Sequence, residues 1–287
     1  MAPLLPRAGH GLLRCPVCRA DLTGAPGALV CANRHRFDLA RDGYVNLTVG
    51  RRPRAAAAGD TAEQLGHRAA FLDAGYFDRA IAILARHLAE GDPPRCVLDA
   101  GCGTGHHLAR VIDALSGALP GPTIGVGLDI AIAAARGAAR RWRAHAFAVA
   151  DLWAAWPVRD RAIDLVISSF APKNFAETAR VLRPGGRLAV IHPGPEHLIE
   201  LVQRFGLMGQ QDDKADRYRA AAARWIGPTT TLRVRHRATF DAATLRDAIL
   251  MGPNARHRAA TGLDREAAAM AVTIDLAIVV ARKKRAG

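Results

Sequence analysis

The chain of 287 residues is long enough for one large α/β domain with a small additional module, and its 50% apolar content is ample for a buried core. No apolar run reaches the roughly 20 residues of a membrane-spanning helix, and the first apolar stretch is too short for a signal peptide, so we expect a cytoplasmic protein with no membrane partner. The net charge of +14 favours a polyanionic partner such as nucleic acid.

Residues 1–50 contain two close pairs of metal-ligand side chains, within a segment that has no long periodic element. The first pair is Cys15 and Cys18, and the second is Cys31 and His35. His10 also lies nearby, but the three-residue spacing from Cys31 favours His35 as the fourth ligand. Zinc binds four such ligands in a tetrahedron, and four protein ligands leave no open position for a reacting molecule. The spacing therefore predicts a structural Zn2+ that stabilises a small zinc-binding module.

Residues 51–59 read RRPRAAAAG, and we interpret this basic, small-residue segment as a linker. Residues 60–287 then alternate between helical and strand patterns, which is typical of a parallel sheet covered by helices on both faces. Strands are predicted over residues 96–100, 123–128, 144–150, 163–168 and 187–192. Two further strands, over 229–240 and 271–281, are predicted to close the sheet in the antiparallel sense.

The stretch 97-VLDAGCGTGHHLARV-111 predicts a strand, a turn with three glycines and a helix. Gly101, Gly103 and Gly105 permit a tight turn and a close approach of the backbone to a ligand, and the following helix N-terminus offers free N–H groups. Taken alone, this turn suits a dinucleotide, an ATP phosphate or S-adenosylmethionine. No lysine follows Gly105, which argues against a loop for nucleoside triphosphates.

Acidic residues near the ends of three predicted strands favour one of the remaining ligands. Asp99 precedes the glycine turn, where its carboxylate would repel a dinucleotide phosphate and attract an ammonium group. Asp129 ends the next strand and is placed to accept both ribose hydroxyls. Asp151 follows the third strand and is placed to contact the adenine amino group. We therefore predict a site for S-adenosylmethionine.

The order of these motifs resembles the rRNA (guanine-N1)-methyltransferases. The matching segments are the CPxC…CxxxH ribbon, 36-RFDLARDGYVNL-47, 59-GDTAEQLGHRAAFLDAGYF-77 and the core with its glycine turn. The chain is most similar to the actinobacterial branch that gives resistance to tylosin-type macrolides. The resemblance implies a class I methyltransferase fold, which is a Rossmann-like α/β fold with a mostly parallel seven-stranded sheet, here after an N-terminal zinc-ribbon-like module.

The resemblance also implies an activity and further site residues. The family transfers a methyl group from S-adenosylmethionine to N1 of a guanine in a domain II hairpin loop of 23S rRNA. Matching motifs assign cofactor contacts to Phe77, Gly105, His106 and His197. In 170-FAPKN-174, Phe170 is expected to stack on the guanine and Asn174 to bind its edge, whereas no residue is assigned as the general base.

Two departures from the family pattern keep other functions open. The family tryptophan after 251-MGP-253 is missing, because residues 254–257 read NARH, and the segment 205–228 matches poorly. One alternative is a methyltransferase of the same architecture that acts on a small natural product. A non-catalytic RNA-binding protein is a third reading, against which the intact glycine turn and its acids argue. The oligomeric state is open, with a homodimer among the alternatives.

Overall fold

The computed structural model describes residues 7–50, 59–116, 121–207, 209, 214–252 and 269–285. Most of the linker predicted over 51–59 and the NARH run at 254–257 lie outside these ranges. Within them, no helix is long and apolar enough to cross a membrane.

The N-terminal part of the chain forms a small antiparallel sheet. A short 3-10 helix, Ala8–Leu12, is followed by three strands, β1 (Leu22–Ala25), β2 (Ala28–Cys31) and β3 (Arg36–Asp38), in the order β1-β2-β3. Strand β4 (Tyr44–Asn46) follows but pairs elsewhere. Leu22 of β1 and Leu29 of β2 are buried, and a zinc ion at the predicted site would stabilise this small sheet further.

The central sheet in the described part of the chain has eight strands. Its remaining strands are β5 (Cys96–Ala100), β6 (Ile124–Asp129), β7 (Ala146–Val149), β8 (Ile163–Ser169), β9 (Leu182–Pro193), β10 (Thr229–Phe240) and β11 (Met270–Arg282). The order is β10-β11-β9-β8-β5-β6-β7-β4, in which β4 to β9 are mutually parallel. Strand β11 is antiparallel to both of its neighbours, β9 and β10, so β10 runs in the same direction as the parallel strands. This confirms the predicted mostly parallel sheet. The observed sheet has one strand more than the seven predicted, and the additional strand is β4.

Helices connect the strands and cover both faces of the sheet. They are α1 (Ala62–Asp73), α2 (Asp78–Ala89), α3 (His106–Ser116), α4 (Ile132–Arg141), α5 (Phe175–Val181), α6 (Ile199–Phe205), α7 (Lys214–Trp225) and α8 (Ala242–Leu250). Helix α1 begins with a capping box in which Thr61 and Gln64 each bond the other's backbone N–H. Apolar side chains of α2, α3 and α8 pack on one face, and those of α5 and α7 pack on the other.

The zinc-ribbon part shares its core with the large sheet. Strand β4 pairs in parallel with β7, so that Tyr44 lies opposite Phe147. Leu13 forms an isolated bridge with Val158 and belongs to the same buried cluster as Leu98. The Arg7 guanidinium also donates to backbone carbonyls at the C-terminal end of α4. The N-terminal module is therefore docked against the sheet.

The strand order reverses at β5, because β6 lies on one side of it and β8 on the other. In open α/β sheets, a crevice forms at the carboxyl ends of the strands at such a switch point, and ligands bind there. The glycine turn follows β5 and the FAPKN segment follows β8. The topology thus brings the predicted cofactor and acceptor segments to one place.

Candidate active site

The four predicted zinc ligands converge. The ligand atoms of Cys15, Cys18, Cys31 and His35 all lie within 4.8 Å of one another. His35 Nδ1 is 3.5 Å from Cys15 Sγ and 3.4 Å from Cys31 Sγ, and Cys18 Sγ is 3.7 Å from Cys31 Sγ. Ligands about 2.0–2.3 Å from one tetrahedral zinc ion would be separated by roughly 3.5–3.8 Å. The side chains thus match a structural zinc site.

Tight turns hold both ligand pairs in place. The N–H of Arg19 donates to the carbonyl of Cys15 at 2.9 Å, and the N–H of Arg34 donates to the carbonyl of Cys31 at 2.9 Å. Arg19 and Arg34 have φ values of 65° and 63°, which lie in the left-handed region. The two turns therefore present their ligands from backbone that is already fixed.

The glycine turn is fixed by close packing at two of its glycines. Gly101 and Gly105 have φ values of 86° and 79°, which L-residues with a side chain rarely adopt. A Cβ on Gly101 would overlap the Cβ of Ala171, and one on Gly105 would lie 2.7 Å from Trp142 Cδ1. By contrast, a Cβ on Gly103 would make only an ordinary contact, with Arg68 Nη1 at 3.6 Å. Close packing therefore fixes the turn at its first and third glycines.

We expect Gly101→Ala to impair cofactor binding because the added methyl pushes Ala171 away and strains the turn. The left-handed backbone alone should cost about 1 kcal/mol, and the overlap adds to this cost. Isothermal titration with S-adenosylmethionine and thermal unfolding would measure both effects. Gly66→Ala, on the helix α1 and with no atom within 4 Å of an added Cβ, is the matched control and should leave cofactor affinity unchanged. Equal affinity in Gly101→Ala would contradict the role of this turn.

Asp99 is a fully buried carboxylate at the end of β5. Neither of its oxygens has a hydrogen-bond partner among the described residues. Burial and the nearby Asp129 carboxylate raise its pKa to about 7, while Lys173 acts in the opposite direction. A buried carboxylate without a partner is costly unless a cation neutralises it. The ammonium group of S-adenosylmethionine has the charge and donors that Asp99 lacks, so the site fits this cofactor.

Asp129 and Asp151 lie at the carboxyl ends of the neighbouring strands β6 and β7. Asp129 accepts the N–H of Gly103 at 2.8 Å and that of Ala131 at 2.9 Å, so it joins the turn to the end of β6. The N–H of Ala150, the residue before Asp151, donates to the carbonyl of Asp129 at 2.9 Å. Each Asp129 oxygen retains a second lone pair that a ribose hydroxyl can use. Both positions suit the predicted contacts, which stay predictions.

Four aromatic rings cluster where α2, α3, β8 and the loop before α6 meet. Phe77 and Phe170 are stacked, with ring centroids 5.5 Å apart and planes inclined by 17°. His197 lies 5.8 Å from Phe77, and His107 lies 6.3 Å from both phenylalanines. Phe77 is buried, whereas Phe170 is 47% exposed. The cluster combines a packed wall with one ring open to an incoming molecule.

Phe170 has a strained backbone. Its φ of 51° lies in the left-handed region, which is uncommon for a bulky residue and costs on the order of 1 kcal/mol or more. The chain therefore holds this ring in position at an energetic cost. Strain of this kind concentrates at functional sites, which supports the predicted stacking role of Phe170.

His197 is buried and held in one tautomer. Its Nδ1 accepts the N–H of Asp275 at 3.3 Å, and burial lowers its pKa to about 4. The ring is therefore neutral near pH 7, with its proton on Nε2. This N–H is the only ring donor that His197 can offer to the predicted cofactor contact.

The side chains of the two adjacent histidines after the glycine turn, His106 and His107, lie in different surroundings. His106 engages both ring nitrogens, with Asp73 at 2.9 Å and Thr104 at 2.8 Å. His107 instead joins the aromatic cluster, and its buried Nε2 has no partner in the described residues. The predicted cofactor contact of His106 is untested, and His107 is the better placed of the two. The sequence shows the pair but not which side chain turns inward.

Asn174 caps a helix. Its side-chain oxygen accepts the N–H of Glu177 at 3.1 Å at the start of α5, and its amide nitrogen donates to the carbonyl of Leu152 at 3.1 Å. One amide hydrogen is left for another acceptor, so the predicted contact with a guanine edge stays a prediction. The neighbouring Lys173 was not predicted as a site residue, although its position within FAPKN is a signal that could have revealed it.

Some of the exposed positive charge is paired within the protein. Three arginines of β10 lie beside acids near α6 and β11, with nitrogen-to-oxygen distances of 2.6–3.5 Å. The pairs are Arg233 with Asp275, Arg235 with Glu196, and Arg237 with Glu200. These acids reduce the positive potential that β10 presents to a polyanion.

Comparisons with known proteins agree with this geometry. The family model described as "RlmA, N-terminal" matches residues 13–49, and the model described as "Methyltransferase domain" matches residues 97–186. A Micromonospora griseorubida protein named as a 23S rRNA (guanine-N1)-methyltransferase is 39% identical over 94% of this chain and 96% of its own length. A Streptomyces fradiae protein named 23S rRNA (guanine(748)-N(1))-methyltransferase has the same identity and coverage.

The chain belongs to the 23S rRNA (guanine-N1)-methyltransferase family. A Bacillus subtilis relative with the corresponding name is 37% identical over 67% of this chain and 68% of its own length. Membership confirms the predicted class I methyltransferase fold, the methyltransferase activity, S-adenosylmethionine as cofactor and the structural zinc. The chain covers 96% of the length of its Micromonospora and Streptomyces relatives.

Proposed function

We propose that this protein transfers a methyl group from S-adenosylmethionine to N1 of a guanine in a domain II hairpin loop of 23S rRNA. The observation that carries this proposal is the 39% identity over 94% of the chain to the Streptomyces fradiae protein named for guanine 748. The zinc-ribbon match and the exposed ring of Phe170 support it, because a base outside a duplex needs an aromatic surface to stack on.

In this proposal the residues of the chain act mainly by positioning the cofactor and the acceptor guanine. Bound S-adenosylmethionine supplies an activated methyl group on its sulfonium. With the cofactor bound, the Asp99 carboxylate would hold its ammonium group, Asp129 its ribose and Asp151 its adenine, and the glycine turn would let the backbone approach. The acceptor guanine stacks on the exposed ring of Phe170, which is itself stacked on the buried Phe77. This arrangement favours an aligned approach of N1 to the methyl carbon.

The proposal includes a division of the chain into a zinc-binding module (1–50), a basic linker (51–59) and a methyltransferase domain (60–287). It also includes a cytoplasmic location, because the acceptor is ribosomal, and a homodimer, which light scattering would test. Resistance to tylosin-type macrolides is a further part, because a methyl group on the proposed guanine would obstruct the drug. The minimum inhibitory concentration of tylosin in a susceptible host that expresses the protein would test it.

A direct assay tests the proposed acceptor. The protein is incubated with S-adenosylmethionine and unmodified 23S rRNA, and methylated N1 is located as a stop of reverse transcription. We expect one strong stop at a guanine of the domain II hairpin, and none when that guanine is replaced by adenine. No stop anywhere in the RNA would contradict the proposal. Cofactor binding with transfer only to a small natural product would favour the alternative methyltransferase instead.

A further inference from the structure

The Lys173 amino group lies where the acceptor segment folds over the cofactor turn. Its Nζ donates to the carbonyl of Ala171 at 2.5 Å, and Ala171 packs directly on Gly101. Nζ also lies 5.4 Å from the centre of the Tyr218 ring on α7. The amine is therefore held between the FAPKN segment, the glycine turn and α7.

The groups that face Lys173 come from three elements. Asp99 acts on it from β5, His192 lies beside it on β9, and Lys214 and Tyr218 face it from α7. His192 donates its Nδ1–H to the carbonyl of Pro193, so its buried Nε2 is an unprotonated acceptor without a partner in the described residues. Among these groups Asp99 is the one anion, and Lys214 adds a second positive charge near Lys173.

This setting disfavours the charged form of the amine. Burial and the nearby Lys214 lower the pKa of Lys173 to about 7, with Asp99 opposing the shift. A large fraction of Lys173 is therefore an uncharged amine near neutral pH. A general base works best when its pKa lies near the working pH, and the buried His107 and His197, whose pKa values are about 4, are weaker bases.

We propose that Lys173 is the general base that accepts the N1 proton of the acceptor guanine. This inference rests on the proposed function, since guanine N1 carries a proton at neutral pH that must leave for methylation. The lone pair of Nζ takes the proton, and the N–H electron pair stays on the guanine and forms the bond from N1 to the methyl carbon. The bond from that carbon to sulfur breaks, and its electrons remain on sulfur. The Lys173 ammonium group then releases its proton to solvent.

The Lys173→Arg variant distinguishes a general base from a residue that only supplies positive charge, because a guanidinium group stays protonated and cannot accept the proton. We expect Lys173→Arg and Lys173→Met to lower the single-turnover rate of N1 methylation by about 100-fold or more. Their dissociation constants for hairpin RNA and for S-adenosylmethionine should stay within about threefold of wild type. The residual rate should rise about tenfold per pH unit where the wild-type rate has levelled off, because hydroxide then removes the proton. Lys284→Met, on the exposed C-terminal segment, is the control and should keep the wild-type rate.

A second readout needs no turnover. Competitive acetylation at a series of pH values, followed by mass spectrometry, measures the Lys173 pKa in the protein without RNA. We expect half-reaction near pH 7 for Lys173, well below the range of an ordinary exposed lysine. A Lys173→Arg enzyme with a wild-type rate would overturn the proposal that Lys173 is the general base, and so would a Lys173 that titrates like an ordinary exposed lysine. Either result would leave the proposed function intact. A wild-type enzyme that methylates no N1 would overturn the proposed function and the base with it.

Discussion

The Asp99→Asn variant should bind S-adenosylmethionine at least about 100-fold more weakly than wild type and yet be more stable at pH 8. Asparagine keeps the size of the side chain but lacks the charge that holds the cofactor's ammonium group. The stability gain follows from burial, because wild-type Asp99 is a fully buried carboxylate without a partner in the described residues. Calorimetric titration and thermal unfolding without cofactor measure the two effects.

The sign of the pH dependence follows from the raised pKa of Asp99. The folded protein holds this proton up to about pH 7, whereas the unfolded chain releases it near the ordinary value of 3.8. The carboxyl group therefore contributes no penalty below about pH 4, and wild type loses stability as the pH rises through this window. The loss amounts to a few kcal/mol, since one pKa unit corresponds to about 1.4 kcal/mol. The Asp99→Asn protein should lack this dependence, and wild-type cofactor affinity should fall as the pH drops below 7.

Asp160 offers a matched control for Asp99. It is half exposed, and its contacts with Arg180 and Arg14 hold its pKa below the ordinary value. Asp160→Asn should therefore leave cofactor affinity unchanged and give no gain in stability at pH 8. If Asp99→Asn bound the cofactor as wild type does, the carboxylate would not be the ammonium site.

Loss of zinc should unfold the ribbon and weaken RNA binding while leaving cofactor affinity within about threefold of wild type. Cys15→Ser with Cys18→Ser removes two ligands of a site whose binding is worth on the order of 10 kcal/mol in small zinc modules. Because the ligands lie at the turns that flank β1 to β3, hydrogen exchange should show loss of protection there. Affinity for the rRNA hairpin should fall at least about tenfold, since the ribbon is proposed to contact phosphates.

Zinc content by mass spectrometry, hydrogen exchange and RNA titration measure these effects. Cys96→Ser removes a thiol of β5 outside the ribbon, so this variant should retain one zinc ion and full RNA affinity. A double variant that still binds zinc would contradict the assignment of the ligands. If zinc were lost and RNA affinity persisted, the ribbon would have no part in RNA binding.

Much of the site could be read from the sequence because its chemistry lies at ends of elements. Asp99, Asp129 and Asp151 lie at or just beyond the carboxyl ends of three neighbouring parallel strands, and parallel strands place these ends at one edge. The zinc ligands are close in sequence, so their convergence needs only two turns and one hairpin.

Features that depend on packing could not be read in the same way. Strand β4 has three residues, too few for a periodic pattern, and its partner β7 is distant in the chain. His106 and His107 are adjacent, and only the packing of α1 and α4 decides which of them faces Asp73. The low pKa of Lys173 arises from burial and from Lys214, which a long segment separates from it.

The pairing of β4 with β7 has a consequence for how the protein is made. The zinc ribbon is synthesised before β7, so until Phe147 and its neighbours follow, the only strand pairing of its last strand among the described residues is the local bridge of Val45 with Leu39. Conversely, a methyltransferase domain expressed from residue 60 alone would present β7 as a bare sheet edge, with its N–H and C=O groups open to other chains. In the full chain, β4 of the N-terminal module pairs with this edge of β7. A truncated catalytic domain that lacks β4 should therefore tend to aggregate and precipitate.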